Sequence, residues 1–142
     1  MHNSDWQQGW WQLARRLDSP NFGPRPAGEA ASLVVLHNIS LPPFEYGNGA
    51  VEKLFTNQIN PAEHPFFSIL TELRVSSHFL ITREGEAVQF VSCNDMAYHA
   101  GVSAFRGREN AMLFQSVSNW KAAILNLLAI CSIHAWISCC AP

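Results

Sequence analysis

Leu33-Val34-Val35-Leu36-His37-Asn38-Ile39-Ser40-Leu41-Pro42-Pro43 is the stretch from which the rest of the chain can be read. Four consecutive apolar residues, two of them valine, predict a strand buried on both faces at the centre of a sheet. His37 and Asn38 place an imidazole and an amide where that strand should leave the core, and the paired prolines forbid it from continuing. Open α/β sheets collect ligands at such strand ends. Neutral imidazole is a common zinc ligand, which makes His37 the first candidate metal residue. The same spacing suits a strand-end histidine bonded to backbone, and one ligand does not make a zinc site.

Length and composition set the bounds. A chain of 142 residues suits one domain with a respectable core. A net charge of −2 with scattered basic residues gives no nucleic-acid footprint. Met1-His2-Asn3-Ser4-Asp5-Trp6 is polar and lacks the apolar run of a signal peptide. Residues 122–137 are apolar but short, and Asn126, Ser132 and His134 interrupt them, so no membrane span is expected. Cys93 stands alone while Cys131, Cys139 and Cys140 crowd the end, with no metal-knuckle or disulfide pattern. A reduced, cytoplasmic setting is the simplest expectation, and no protein partner is implied.

Working outward, Trp6, Trp10, Leu13 and Leu17 recur at intervals of three and four, which predicts a packing helix over residues 6–17. Residues 20–28 hold three prolines and two glycines and read as an extended loop. Residues 44–50 form a second loop beside His37. Val51, Leu54, Phe55 and Ile59 suggest a short helix closed by Asn60-Pro61. Residues 73–83 read as a strand, Glu84-Gly85-Glu86 as a hairpin turn and residues 87–91 as the returning strand. His64 has the composition of a ligand. His78 fits either a cleft-facing or a structural role, and the sequence assigns no role to His99.

Beyond the opening stretch, Leu54-Phe55-Thr56, His64-Pro65-Phe66-Phe67, Leu73-Arg74-Val75-Ser76-Ser77-His78, Val88-Gln89-Phe90-Val91, Tyr98-His99-Ala100-Gly101-Val102-Ser103 and Gly107-Arg108-Glu109 follow in order. In these whole segments the chain resembles the AmpD family, the cytoplasmic 1,6-anhydro-N-acetylmuramyl-L-alanine amidases. The likeness runs from about Trp6 to Asn110. It implies a mixed α/β (α+β) domain, a β-sheet flanked by helices. It also implies zinc as cofactor and an anhydromuropeptide, a peptidoglycan fragment, as partner and substrate.

The resemblance makes His37 one zinc ligand and lines a substrate groove with Asn38, Phe55, Arg74 and Ala97. A guanidinium grips a ligand carboxylate through two parallel hydrogen bonds. The competing reading of Arg74 is a surface pair with Glu72 or Glu84. Tyr98 stands where relatives commonly have tryptophan, and the small residues after it would allow close backbone approach. The family's other ligands, a histidine and an aspartate, and its catalytic lysine come from a C-terminal third. Its catalytic glutamate lies in a strand reading roughly C-N-D-F-S-I-G-I-E-L-E-G. The family's zinc histidines align elsewhere than His64.

Residues 111–142 change character. They hold no Asp, Glu or Gly, and Lys121 is their one Lys or Arg, although the chain carries 11 acidic residues. Reading the codons of residues 111–122 from one nucleotide earlier permits C-N-A-F-S-I-G-I-E-L-E-G. Two letters are forced: Asn119 into Trp120 yields leucine, and Trp120 into Lys121 yields glutamate. The rest are allowed by wobble. Loss of one T at an AAT-TGC junction would produce Asn110-Ala111. The expectation is therefore an amidase domain over residues 1–110, incomplete in its C-terminal third, and a frameshifted tail over residues 111–142. The catalytic strand should be missing and a sheet edge left bare, with a chance helix around Ala122, Leu125 and Leu128. Three outcomes follow: an amidase by descent that is inactive as written, a non-catalytic muropeptide-binding remnant, or a misfolded product.

Overall fold

The computed structural model describes residues 5–99, 104–105, 107–109 and 115–120. The strands are β1 (Trp6–Gln7), β2 (Trp10–Trp11), β3 (Arg15–Arg16), β4 (Phe22–Pro24), β5 (Leu33–Asn38), β6 (Phe79–Ile81), β7 (Ala87–Gln89), β8 (Asp95–Ala97), β9 (Ala104–Phe105), β10 (Arg108–Glu109) and β11 (Gln115–Trp120). Helix α1 spans Ala50–Phe55, and a 3-10 turn spans Pro65–Ile69. The fold is mixed α+β. Its main sheet has five strands in the order β3-β7-β6-β11-β5. Strand β6 runs antiparallel to β7, and β11 runs parallel to both β5 and β6.

Alternation along β6 divides the interior between the two faces of the sheet. Leu80 joins Val51, Leu54, Phe55, Val88 and Phe90 in the larger cluster beneath α1. Phe79 faces the other way and packs with Cys93 against Trp6, Trp11 and Ala14. The β6–β7 hairpin forms as its sequence predicts. Leu80 opposes Val88, and the turn closes by Gly85 N donating to the Thr82 carbonyl at 3.1 Å.

Four sequence expectations change. Residues 6–17 form a hairpin and a short strand in place of a helix. Gln8 and Gly9 both take positive φ, 50° and 78°, which suits a two-residue hairpin turn. The turn is pinned by buried Gln89, whose Nε2 donates to the Gly9 carbonyl at 2.8 Å while its Oε1 accepts from Trp11 N at 2.7 Å. Trp6 then stacks on Trp11 with centroids 6.4 Å apart. The helical spacing of aromatics was a coincidence of a hairpin whose paired residues are both large.

Helix α1 is shorter than its apolar pattern, ending at Phe55 because Asn57 turns left-handed at φ 59°. Residues 73–78 do not join the strand at Phe79. Residues 76–80 are all buried, so two-residue alternation is absent there. Finally, β5 lies at the edge of the described sheet, with Leu36 48% exposed. It is neither central nor buried on both faces. The slot between β6 and β5 is occupied by β11, and β5 has no second strand partner among the described residues. A strand needs only backbone pairing to occupy that slot, and Gln115-Ser116-Val117-Ser118-Asn119-Trp120 has no proline or glycine to prevent it. The expected helix after Ala122 lies outside the described residues.

Candidate functional site

The strands β5, β11 and β6 point the same way, so their carboxyl ends gather at one edge of the sheet. There Trp120 is in register with Asn38 and Ile81, and Asn119 with His37 and Leu80. His37 occupies the penultimate position of β5, and its side chain lies outside the described residues. Asn38 is exposed at the strand end. The loop that follows is shaped by its own polar groups. Asn48 Nδ2 donates to the Leu41 carbonyl at 2.6 Å, and its Oδ1 accepts from Ala50 N at 3.0 Å, which seats α1. Above this edge Arg83, on the β6–β7 turn, lies 4.1 Å from the Tyr46 ring centroid and joins the two loops.

Arg74 is exposed and makes no ion pair among the described residues. Its Nη1 donates to the carbonyls of Thr71 at 2.9 Å and Leu73 at 3.2 Å. Those bonds orient the head without neutralising it, and they replace the alternative of a pair with Glu72 or Glu84. Ala97 is buried in β8 opposite Phe22. Tyr98 follows it to the surface, and its ring crosses Gly23 so closely that a Cβ there would stand 2.5 Å from Oη. Gly23→Ala is therefore expected to push the tyrosine ring aside at a cost of about 1 kcal/mol, because the obstructing atom is the end of a flexible side chain. Movement of the Tyr98 ring-proton resonances with an unfolding midpoint lowered by only about 2–6 °C would check this.

Phe55 requires a correction. Its side chain is 2% exposed and meets Phe90 edge-on at 5.2 Å, so it is a core residue whose ring reaches no groove. What ties it to the other candidates is its backbone. The Phe55 carbonyl accepts from Ser19 Oγ at 2.5 Å, and Asn21 Nδ2 approaches it at 3.4 Å. Asn21 also reaches the Val75 carbonyl beside Arg74, and its own carbonyl receives Tyr98 N at 3.3 Å. The structure thus brings Phe55, the Arg74 segment and the Ala97–Tyr98 segment around one buried asparagine. Nothing among the described contacts joins Asn38 to that group. Sequence reading missed Asn21; its one local signal was a polar residue beside proline in a loop.

The remaining histidines divide. His64 caps the 3-10 turn, with Nδ1 accepting from Phe66 N at 3.1 Å. His78 is buried, and its Nε2–H donates to the Asp95 carbonyl at 3.1 Å. Burial pushes its pKa down to about 4, against the partial support of that bond, with smaller lowering by Arg25 and His99. It is a structural histidine. His99 is partly buried, and His134 and residues 100–103 lie outside the described residues. Among the described residues no three His, Cys, Asp or Glu side chains converge as a metal site. The ligand set expected around His37 is thus not completed by them. A separate concavity of about 120 Å³ lies at the opposite edge of the sheet, between Trp10, Arg16, Asp18, Phe22 and Asp95.

The N-acetylmuramoyl-L-alanine amidase family matches residues 27–129. The chain belongs to this family. It is 52% identical over 103 residues to the 1,6-anhydro-N-acetylmuramyl-L-alanine amidase AmpD of Escherichia coli K12, covering 72% of this chain and 56% of that protein. The AmpD of Haemophilus influenzae is 45% identical over 105 residues, covering 74% of this chain and 57% of that one. The chain therefore spans little more than half the length of these relatives. A crystal structure of a selenomethionine AmpD derivative superposes with a TM-score of 0.85 at 40% identity, covering 93% of this chain and 78% of its own. The solution structure of Citrobacter freundii AmpD gives 0.61 at 39% identity, covering 93% and 74%. In all of these the match is to AmpD proteins, as the segment-by-segment resemblance implied. Among the described residues, no helix of this amidase-family chain is long and apolar enough to cross a membrane.

Proposed function

We propose that the chain descends from a cytoplasmic, zinc-dependent amidase that cleaves the lactyl–L-alanine amide of anhydromuropeptides in peptidoglycan recycling, and that it is inactive as written. The observation that carries this is the register of β11, in which position 119 stands directly across from His37. In the slipped reading, position 119 can be glutamate and position 121 must be. The written chain has asparagine at 119 and no acidic residue after Glu109. Asparagine cannot take a proton from an attacking water, so a general base is missing where the family strand would supply one. The described residues do not complete a zinc site, and no step is routed through the metal. The family match runs past Asn110, so the boundary at 110 rests on the codon reading and the change in composition.

A second reading, a muropeptide-binding remnant without hydrolysis, is favoured by Arg74. Among the described residues only its Nη1 is engaged, which leaves the rest of the guanidinium edge to meet a ligand carboxylate beside Tyr98. Asn38 would add an amide at the strand end. Both readings are tested by restoring one nucleotide at Asn110 and comparing the two proteins for zinc content and release of L-alanyl peptide from an anhydromuramyl peptide. The written chain should release none and the restored chain should, with His37→Ala in the restored chain abolishing both zinc retention and turnover. Equal turnover by the written chain, or a restored chain that holds zinc and leaves the amide intact, would sink the proposal. Resequencing across the codons of residues 108–112 tells a genomic slip from a reading error.

A further inference from the structure

Asn21 is 4% exposed, and every polar atom it owns is used. Its backbone N–H donates to Ser19 Oγ at 3.1 Å, and its carbonyl accepts from Ser76 Oγ at 2.5 Å and Tyr98 N at 3.3 Å. The side-chain amide pairs reciprocally with Asn57. Nδ2 donates to Asn57 Oδ1 at 2.8 Å, and Asn57 Nδ2 returns a bond to Asn21 Oδ1 at 3.1 Å. The second Nδ2 hydrogen goes to the Val75 carbonyl at 2.9 Å. A primary amide is the one side-chain group with both the donors and the acceptor this position requires. These partners lie two residues past the end of α1, on the backbone next to Arg74 and on the backbone of Tyr98, three segments with no strand pairing between them.

We propose that Asn21 is a positioning residue that fixes the Arg74 guanidinium relative to the Tyr98 backbone, and so sets the spacing at which a carboxylate-bearing peptide is gripped. This rests on the reading of Arg74 as a muropeptide clamp. Arg74 itself is exposed and, among the described residues, held only by carbonyls of its own turn, so its location depends on where Val75 and Ser76 are anchored. Ser76 completes the link, since its N–H donates to the Tyr98 carbonyl at 2.8 Å and its Oγ accepts from Tyr98 N at 3.2 Å. Replacing the amide of Asn21 by a carboxylate keeps the shape but removes both Nδ2 donors. An oxygen then faces the Val75 carbonyl and repels it.

The test is a double-mutant cycle on the full chain. Affinity for an anhydromuramyl peptide is measured by calorimetry for wild type, Asn21→Asp, Arg74→Ala and the double variant, well below each unfolding midpoint. Asn21→Asp should weaken binding about tenfold when Arg74 is present and less than twofold when it is absent. Equal losses in both backgrounds, or no loss, would overturn the proposal, because a merely structural asparagine acts regardless of Arg74. A wild-type chain that does not bind the peptide would instead count against the clamp reading. The positioning claim is then decided on ligand-free protein by the heteronuclear relaxation of the Arg74 and Tyr98 amides. These should become more mobile in Asn21→Asp and stay as in wild type in Asn48→Asp, and unchanged amides in Asn21→Asp would refute the claim.

Discussion

Replacing Phe55 with alanine is expected to destabilise the folded chain by about 3–5 kcal/mol. The ring is 2% exposed and sits in the larger cluster with Leu54, Leu80 and Val88, edge-on to Phe90. Truncation removes the ring's burial and leaves a cavity that α1, held at its start by Asn48 and at its end by Asn57, cannot readily collapse into. Since single domains are stable by only about 5–15 kcal/mol, the variant should lose a large share of its reserve. Urea unfolding followed by tryptophan fluorescence would read the loss. Phe55→Leu, which keeps most of the volume, should cost markedly less. The same experiment separates core from groove: a ring lining an open groove would cost under about 1 kcal/mol on truncation, and a loss that small would contradict the placement.

The second large effect is on acid stability. The His78 ring is neutral and buried in the fold with its pKa pushed down to about 4, against the ordinary histidine value of 6.5. Between those values the unfolded chain binds a proton that the folded chain refuses, so stability falls as pH falls. The contribution is intact above about pH 6.5 and progressively lost toward pH 4, amounting to about 3 kcal/mol over the whole window and about 2 kcal/mol by pH 5. Most carboxylates have barely begun to titrate at pH 5, which makes the upper part of the window diagnostic. Unfolding midpoints at pH 7.5 and pH 5 should therefore separate widely for the wild type. In His78→Gln, which retains a donor for the Asp95 carbonyl but cannot titrate, they should draw together. If the two proteins show the same pH dependence, His78 is not the group responsible.

What could be read from the sequence was whatever depends on neighbours in the chain. The hairpin of β6 and β7 was legible because Glu84-Gly85-Glu86 interrupts two apolar runs at turn spacing. The strand at Leu33 was legible because valines and leucines precede a proline block. The Trp6 to Leu17 stretch misled because its aromatic spacing fits a helix as well as it fits two short strands with large residues facing each other. The decisive signal there was Gln8-Gly9, a turn pair between Trp6-Gln7 and Trp10-Trp11. Asn21 was illegible for a different reason: its side-chain partners Asn57 and Val75 are 36 and 54 positions away. No local pattern reports such contacts. Phe55 shows the limit of carrying a role across from relatives, since similarity of segment does not say which atoms of a residue face outward. The position of β5 at the sheet edge was hidden too, because apolarity reports burial but not the order of strands.

The place of β11 in the sheet also governs the order of assembly during synthesis. Among the described residues, β5 has β11 as its one sheet partner, joining Leu33 to Gln115 and Asn38 to Trp120. The hairpin of β6 and β7 can close as soon as it clears the ribosome, since its strands are adjacent in the chain. Strand β5 emerges well before it but must wait for Trp120 to appear before its backbone groups are paired. This is a contact of high sequence separation, the kind that slows folding. During that interval Leu33-Val34-Val35-Leu36 is an apolar, unpaired ribbon, the sort of segment that chaperones hold and that neighbouring nascent chains can capture. Any change that delays or alters residues 115–120 thus acts on a strand far earlier in the chain, by lengthening the time for which β5 stands alone.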